Sequence, residues 1–378
     1  MLVINIVFYL LLFFYLSVVL FFIYGWLKSK TYIPSKKISD LHTTLSVVIA
    51  VRNEEANILN LLNDLKSQSY PSNLFDVIIV DDHSNDKTYE LISNYQMHNL
   101  KSIKLDLDKP INSYKKRAIT EAIKQSNSKL IVSTDGDCRL NKDWLTTIVD
   151  YYESNNFKVI SAPVTFHEQQ SLFEILQTIE FQYLIGVGAS AIFNDYPITC
   201  NGANFIYERE VFNELDGFKG IDHKATGDDE LFLHKVNSKY QNSAGFIKSG
   251  SAIVRTYAKR TMPEFIQQRK RWASKSTGYT DKKVVSIVIG IFLFNLTLLV
   301  SPLIYILDKS IINYLVVAFS LKLIFDGFFM FLTLKFFNSL RFIIFSPLVI
   351  FLYVFYIIYI GILGNINKSY HWKGRRVY

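Results

Sequence analysis

Short runs of aliphatic and β-branched residues alternate with helical patterns between residues 45 and 135. The runs at residues 45–51, 76–80 and 130–133 are apolar at successive positions, which is typical of strands buried on both faces of a parallel sheet. A weaker strand is expected at residues 103–105. Helical spacing fills the intervals, so the sequence predicts an α/β domain with a mostly parallel sheet.

The run at residues 130–133 leads into two carboxylates, Asp135 and Asp137, on either side of Gly136. Because strand side chains alternate between faces, residues i and i+2 point the same way, and we expect both carboxylates to face one point. Two such oxygen ligands suit Mg²⁺ or Mn²⁺ that also binds phosphates and waters. A plain turn, for which Asp and Gly are common residues, is the alternative.

Other polar residues follow neighbouring strands. Glu54 lies in the loop after the first strand, and Asp81 and Asp82 follow the second. Ligands of open α/β sheets bind beyond the carboxyl ends of the strands. We therefore expect the substrate site at this edge and count Glu54 among the substrate-binding residues.

Both ends of the chain are apolar. Residues 1–27 carry no charge and are long enough to cross a bilayer. Without a basic start or a small-residue cleavage site, they predict a retained anchor rather than a signal peptide. Lysines follow at once, and positive charge on that side predicts a cytoplasmic domain in a multi-pass protein of the cell (inner) membrane.

Three further spans are predicted near residues 284–307, 311–334 and 342–364. Four spans that begin outside would leave the tail at residues 365–378 outside. Its basic residues favour the inside, namely Lys368, Lys373, Arg375 and Arg376. Either one C-terminal segment is re-entrant or the charge rule fails, and the sequence does not decide which.

Composition narrows the choice of partners. The net charge is +8, but no compact Lys/Arg run occurs in the middle of the chain, so no nucleic-acid partner is expected. Much of the basic charge flanks apolar segments, as expected beside an anionic membrane surface. Cys138 and Cys200 lie far apart without a metal-ligand spacing, so they predict neither a disulfide framework nor a zinc site.

Three more motifs complete the pattern. They are Lys115, three residues before Ala118; Asp228 and Asp229, directly after Gly227; and Gln268, Arg271 and Trp272 in a basic, aromatic helix at residues 263–276. Together with the acidic strand ends, they make the chain similar to membrane-bound family-2 glycosyltransferases. That group includes cellulose, chitin and hyaluronan synthases and ceramide glucosyltransferase.

The similarity covers about residues 45–280. It implies a GT-A-type nucleotide-sugar-binding domain flanked by transmembrane helices. The implied parts are an anchor (1–27), a cytoplasmic catalytic domain (40–262), an interfacial helix (263–283), about three C-terminal spans (284–364) and a basic tail (365–378).

The resemblance also implies roles at the donor site. Asp82 would contact the nucleotide base, with a simple strand-end turn as the alternative. Lys115 would meet the diphosphate, helped by a helix N-terminus; the alternative is a solvated lysine among Lys116 and Arg117. Asp135 and Asp137 would hold Mg²⁺ or Mn²⁺, which offsets charge on the leaving nucleoside diphosphate.

The remaining roles concern the acceptor and the interfacial helix. Asp229 would take the proton from the acceptor hydroxyl beside Asp228, a position where Glu is commoner in the family. A helix N-cap at Asp228 with Asp229 in the first turn is an alternative compatible with that role. Arg271 can pair with phosphate and Trp272 can pack on a sugar, with Gln268 completing the motif. An interfacial helix that meets lipid headgroups is the other interpretation.

The implied reaction is transfer of a sugar, with inversion, from a nucleotide diphosphate sugar such as a UDP-sugar. Apolar helices near residues 171–193 and 263–276 would bring the site close to the bilayer, unless they only pack against the sheet. About four spans with few polar residues favour a lipid acceptor. A processive polysaccharide synthase is the runner-up, and a catalytically inactive scaffold is the rival from another class.

Overall fold

A computed structural model describes residues 2–106, 113–279, 281–366, 370–372 and 375–377. The chain divides into two compact units. The helical unit comprises Met1–Lys28, Gln169–Asn194 and Lys259–Tyr370, and the sheet unit comprises Ser29–Glu168, Asp195–Ala258 and His371–Tyr378. Lys368 and Lys373 of the predicted basic tail lie outside the described residues, as does the side chain of Arg376.

The strands are β1 (Leu45–Val51), β2 (Phe75–Asp81), β3 (Leu100–Lys104), β4 (Leu130–Asp135), β5 (Val159–Ser161), β6 (Val164–His167), β7 (Phe205–Glu208), β8 (Ala244–Phe246), β9 (Val254–Tyr257), β10 (Tyr370–Trp372) and β11 (Arg375–Val377). Seven of them form the main sheet in the order β3-β2-β1-β4-β7-β5-β8. Neighbours from β3 to β4 pair in parallel, whereas β7 is antiparallel to both β4 and β5. The predicted α/β class with a mostly parallel sheet is confirmed.

The helices are α1 (Leu2–Lys28), α2 (Ile58–Lys66), α3 (Thr88–Ser93), α4 (Tyr114–Lys124), α5 (Trp144–Glu153), α6 (Leu172–Phe193), α7 (Arg209–Glu214), α8 (Glu230–Lys239), α9 (Met262–Ala273), α10 (Lys282–Leu307), α11 (Ile311–Phe336) and α12 (Ser346–Ile366). In the sheet unit, helix α4 buries Ala118, Ile119, Ala122 and Ile123. These residues join Val48, Ile78 and Ile131 of the central strands in one apolar core. This packing fixes α4 against the sheet and so determines where its N-terminus lies.

The helical unit contains α1, α6 and α9 to α12. Among the described residues, five helical segments of this unit are long and apolar enough to cross a membrane: α1, α6, α10, α11 and a segment at Leu340–Gly364 that includes most of α12. Helix α6 is continuous through Gly186 and Gly188. An added Cβ at Gly186 would collide with the Thr333 methyl on α11, so this glycine permits close helix packing.

A charged pair is buried in the helical unit. Lys322 and Asp326 on α11 lie 2.7 Å apart, one helical turn from each other. The Tyr15 hydroxyl on α1 donates to Asp326 and accepts from Lys322 at 2.7 Å. The two buried charges therefore pair with each other, and a tyrosine from another helix bonds to both.

Candidate active site

The acidic strand ends meet at one edge of the sheet. Strand β1 lies between β2 and β4, and its last residues pair with Asp81 on one side and Asp135 on the other. Asp82 follows β2 directly, and Glu54 lies three residues beyond β1. The backbone N–H of Glu54 donates to Thr88 Oγ1 at 2.7 Å, and its carboxylate accepts from Asn57 at 2.8 Å. These bonds hold the β1 loop at the carboxyl edge, where ligands of such sheets bind.

Lys115 connects two of the acidic motifs. Its Nζ lies 2.8 Å from Asp135 Oδ1 and 3.1 Å from Asp228 Oδ2, and its side chain is 16% exposed. Burial disfavours the ammonium, but the charges of Asp135 and Asp228 outweigh this effect and raise the pKa of Lys115. Lys115 therefore stays charged between two carboxylates, and the solvated alternative is wrong.

Asp229 is held by two backbone N–H groups. Its Oδ1 accepts from Glu230 at 2.7 Å, and its Oδ2 accepts from Gly202 at 2.9 Å. Asp229 is thus the N-cap of α8, one residue later than the cap considered from the sequence. An added Cβ at Gly202 would lie 3.3 Å from the Oδ2 atoms of Asp228 and Asp229, which explains why glycine stands there. The Asp229 carboxylate is therefore buried and held in one orientation.

Lys116 fixes the loop that leads to this motif. Its Nζ donates to the carbonyls of Ile221, Lys224 and Thr226 at 2.7, 2.7 and 2.6 Å. Treating Lys116 as solvated was wrong, because the residue is 2% exposed. The signal was present in the sequence, since Lys116 precedes the buried Ile119 by three positions and so shares its helix face.

The metal motif occupies the end of β4. The strand extends to Asp135, two residues beyond the predicted end, and Asp137 lies in the following turn. The Cys138 N–H donates to the Asp135 carbonyl at 3.2 Å and closes that turn. Strand alternation therefore does not govern the direction of Asp137. An added Cβ at Gly136 would lie 3.0 Å from Glu54 Cγ, so the turn packs closely on the β1 loop.

The carboxylate oxygens of Asp135 and Asp137 suit Mg²⁺ or Mn²⁺ only if the substrate supplies further ligands to the ion. Asp135 and Asp137 are both partly exposed, and the Asp135 side chain is 38% exposed. Within the described ranges, no group of three His, Cys, Asp or Glu side chains could hold a metal alone. Magnesium commonly binds through one or two carboxylates together with phosphates and waters. Asp135 and Asp137 fit that mode.

Gln268, Arg271 and Trp272 lie on α9 in the helical unit, whereas the other predicted site residues lie in the sheet unit. Between them, Arg269 is buried and paired with Glu180 of α6. Its guanidinium lies 4.2 Å from the Trp272 ring centroid, and Gln268 Oε1 accepts from it at 2.6 Å. Arg269 was missed from the sequence, where it stands beside Lys270 and Arg271 without a distinguishing pattern. In this structure it orders both Gln268 and Trp272.

The sheet order, with acidic residues at the strand ends, defines a GT-A-type glycosyltransferase fold. Residues 46–216 match the family described as Glycosyl transferase family 2. The chain therefore carries a family-2 glycosyltransferase domain, as its motifs indicated. The matched range includes Glu54, Asp82, Lys115, Asp135 and Asp137.

Curated relatives align with parts of the chain. The probable glycosyltransferase YdaM of Bacillus subtilis is 28% identical over 240 residues, which are 61% of this chain and 54% of that protein. Poly-beta-1,6-N-acetyl-D-glucosamine synthase of Staphylococcus epidermidis is 25% identical over 168 residues, 43% of this chain and 39% of that protein. Beta-monoglucosyldiacylglycerol synthase of Synechocystis is 30% identical over 113 residues, 29% of this chain and 23% of that protein. The chain thus spans at most about half the length of these relatives.

A solved structure supports the fold. It is the mannosyltransferase PcManGT from Pyrobaculum calidifontis in complex with GDP-Man and Mn²⁺. The TM-score is 0.55 at 14% identity, over 89% of this chain and 98% of that chain. At this identity the likeness shows the fold alone.

Proposed function

We propose that the protein transfers a sugar from a nucleotide diphosphate sugar, a UDP-sugar in the first instance, to an acceptor hydroxyl with inversion. The observation that carries this proposal is the position of Lys115 between Asp135 and Asp228. One cation thereby connects the implied diphosphate site with the implied acceptor site. A protein that served only as a scaffold would have no physical need for this cluster of carboxylates.

The reaction is a single displacement. The acceptor oxygen forms a bond to the anomeric carbon while the bond from that carbon to the diphosphate oxygen breaks, and the electron pair leaves with the diphosphate. Asp229 takes the acceptor proton as general base. Its two N–H bonds, from Glu230 and Gly202, hold the carboxylate in one orientation while the acceptor approaches.

Asp135 and Asp137 would hold Mg²⁺ or Mn²⁺ together with the donor diphosphate. The bound ion would offset the negative charge that develops on the leaving nucleoside diphosphate. Lys115 would supply a second positive charge at the same place, because it already contacts Asp135 and lies in the first turn of α4. Asp82 and Glu54 would line the donor side of this site.

We propose a lipid acceptor and a single transfer, or few transfers. A polymer exporter needs a polar path through its spans. Three of the polar side chains in α10 and α11 have partners within the unit: Asn295 donates to the Ile291 carbonyl, Thr297 contacts Tyr314, and Lys322 pairs with Asp326. Two relatives illustrate the alternatives: one is named as a synthase of a glucosylated diacylglycerol, which is a lipid, and the other as a synthase of poly-N-acetylglucosamine, which is a polymer.

The cellular setting is also a proposal. We propose that α1, together with the C-terminal helices, anchors the protein in the cell membrane and that the sheet unit faces the cytoplasm. The long apolar helices and the lysines after α1 support this arrangement. The substrate-binding roles that the family resemblance implies for Gln268, Arg271 and Trp272 stay a prediction.

The test uses the full-length protein in membranes, supplied with labelled UDP-sugars and GDP-sugars. We expect nucleoside diphosphate release together with label in the organic phase. Label in long, water-soluble, glycosidase-sensitive chains would make the protein a polysaccharide synthase. No release from any donor, by protein that is folded and inserted, would leave the inactive scaffold as the correct interpretation.

A further inference from the structure

An arginine from the C-terminal segment contacts the implied base-binding residue. Arg375 Nη1 donates to Asp82 Oδ2 at 2.7 Å, and Nη2 lies 3.4 Å from the Asp82 carbonyl oxygen. The Asp82 side chain is 2% exposed and that of Arg375 is 15% exposed. Residues 371–378 belong to the sheet unit, so this contact lies within one compact body.

The other Asp82 oxygen also has a partner. His83 Nδ1 lies 2.9 Å from Asp82 Oδ1. Arg52 Nη1 donates to the carbonyls of Asp82 and His83 at 2.8 and 2.6 Å. The end of β2 is therefore held on three sides, and Arg375 is the only one of these partners that comes from a distant part of the described chain.

Arg375 also reaches the helix that carries Lys115. Its Cζ lies 4.1 Å from the ring centroid of Tyr114, the first residue of α4. The guanidinium thus contacts both Asp82 and the residue next to Lys115. A cation over an aromatic face, paired with a carboxylate, is a well-defined arrangement rather than a loose surface contact.

We propose that Arg375 is a positioning residue of the donor-nucleotide site, an inference that rests on the proposed function. It holds the Asp82 carboxylate in one orientation, so that its remaining lone pairs can accept an N–H from the base. Uracil and guanine present a ring N–H on their pairing edge, whereas cytosine and adenine present a ring nitrogen acceptor there. The C-terminal segment would therefore contribute to the preference for a UDP or GDP donor.

The experiment measures binding of UDP and of inorganic pyrophosphate, which lacks the base, to full-length protein with Mn²⁺ present. The variants are Arg375→Gln and Arg375→Lys. Arg117→Gln is the control, because Arg117 is a partly exposed arginine of α4 whose described bond is to the Asp106 carbonyl. We expect Arg375→Gln to weaken UDP binding about tenfold. Pyrophosphate binding should stay unchanged, and Arg375→Lys should restore part of the loss.

The outcomes separate this inference from the proposed function. Unchanged UDP binding in Arg375→Gln, or equal loss of UDP and pyrophosphate binding, would overturn a role at the base. Tighter UDP binding would also overturn it, because the segment would then obstruct the site. If the unaltered protein bound neither UDP nor GDP, the proposed function would fail, and this inference with it.

Discussion

The ammonium of Lys115 lies 2.8 Å from Asp135 Oδ1 and thereby joins the first turn of α4 to the end of β4. Neither element could form this contact from local sequence alone, because 20 positions separate the two residues. The same ammonium reaches Asp228. The position of one side chain therefore couples three segments of the candidate site.

Replacing Lys115 with Met should lower transfer by about a hundredfold or more, because two adjacent carboxylates lose their shared cation and the leaving diphosphate loses a positive charge. The measurement is nucleoside diphosphate release at saturating donor. Lys124→Met removes an exposed lysine from the same helix and should leave the rate unchanged. A wild-type rate in Lys115→Met would exclude the assigned role.

Asp229 is both the proposed general base and the N-cap of α8, and substitutions can separate these two roles. Asp229→Asn retains an oxygen that can cap α8 but is not a base, so transfer should fall by about a hundredfold or more while the fold persists. Asp229→Ala should also lose about 1 kcal/mol of stability with the cap. Thermal unfolding and transfer rates are measured together. Ser171→Ala, which removes the cap of α6, should cost stability without removing transfer.

Lys116→Met should destabilise the sheet unit by on the order of 3 kcal/mol, because three carbonyls lose a charged donor at a buried position. The loop at residues 217–227 should become sensitive to limited proteolysis. Lys235→Met is the matched control, since Lys235 donates to the Gly217 and Lys219 carbonyls of the same loop at a more exposed position. Equal protease sensitivity of both variants would contradict the special role of Lys116.

Asp137→Asn should raise the Mn²⁺ concentration needed for half-maximal transfer, since one of the two carboxylate ligands is lost. Excess chelator should abolish transfer by the unaltered protein, and added Mn²⁺ should restore it. Asp216→Asn serves as the control, because Asp216 is an exposed aspartate that pairs only with the exposed Lys219 among the described ion pairs. Full activity in chelator would refute metal dependence.

Sequence patterns predicted the fold class because β1, β2 and β4 each contain a continuous run of buried aliphatic residues, and β2 and β4 end in Asp81 and Asp135. The antiparallel insertion of β7 between β4 and β5 was not predictable, since its register depends on residues distant in the chain. The motif positions of Asp135 and Lys115 were found from the sequence, but not their mutual contact. Lys116 was misjudged because it was taken to be solvated, whereas three carbonyls accept from its buried ammonium. The contact of Arg375 with Asp82 was not predictable, because 293 positions separate the two residues.

The C-terminal segment belongs to the sheet unit, and this limits how many times the chain can cross a membrane. A bilayer cannot divide one compact unit, so if the long apolar helices span a membrane, the chain crosses it an even number of times between residues 258 and 371. Under that condition, helices α10, α11 and α12 cannot each cross once. The same reasoning applies to α6, because β5 before it and β7 after it are paired neighbours. With an even count, Arg375 and the lysines after α1 would lie on the same side of the bilayer, as the charge rule favours.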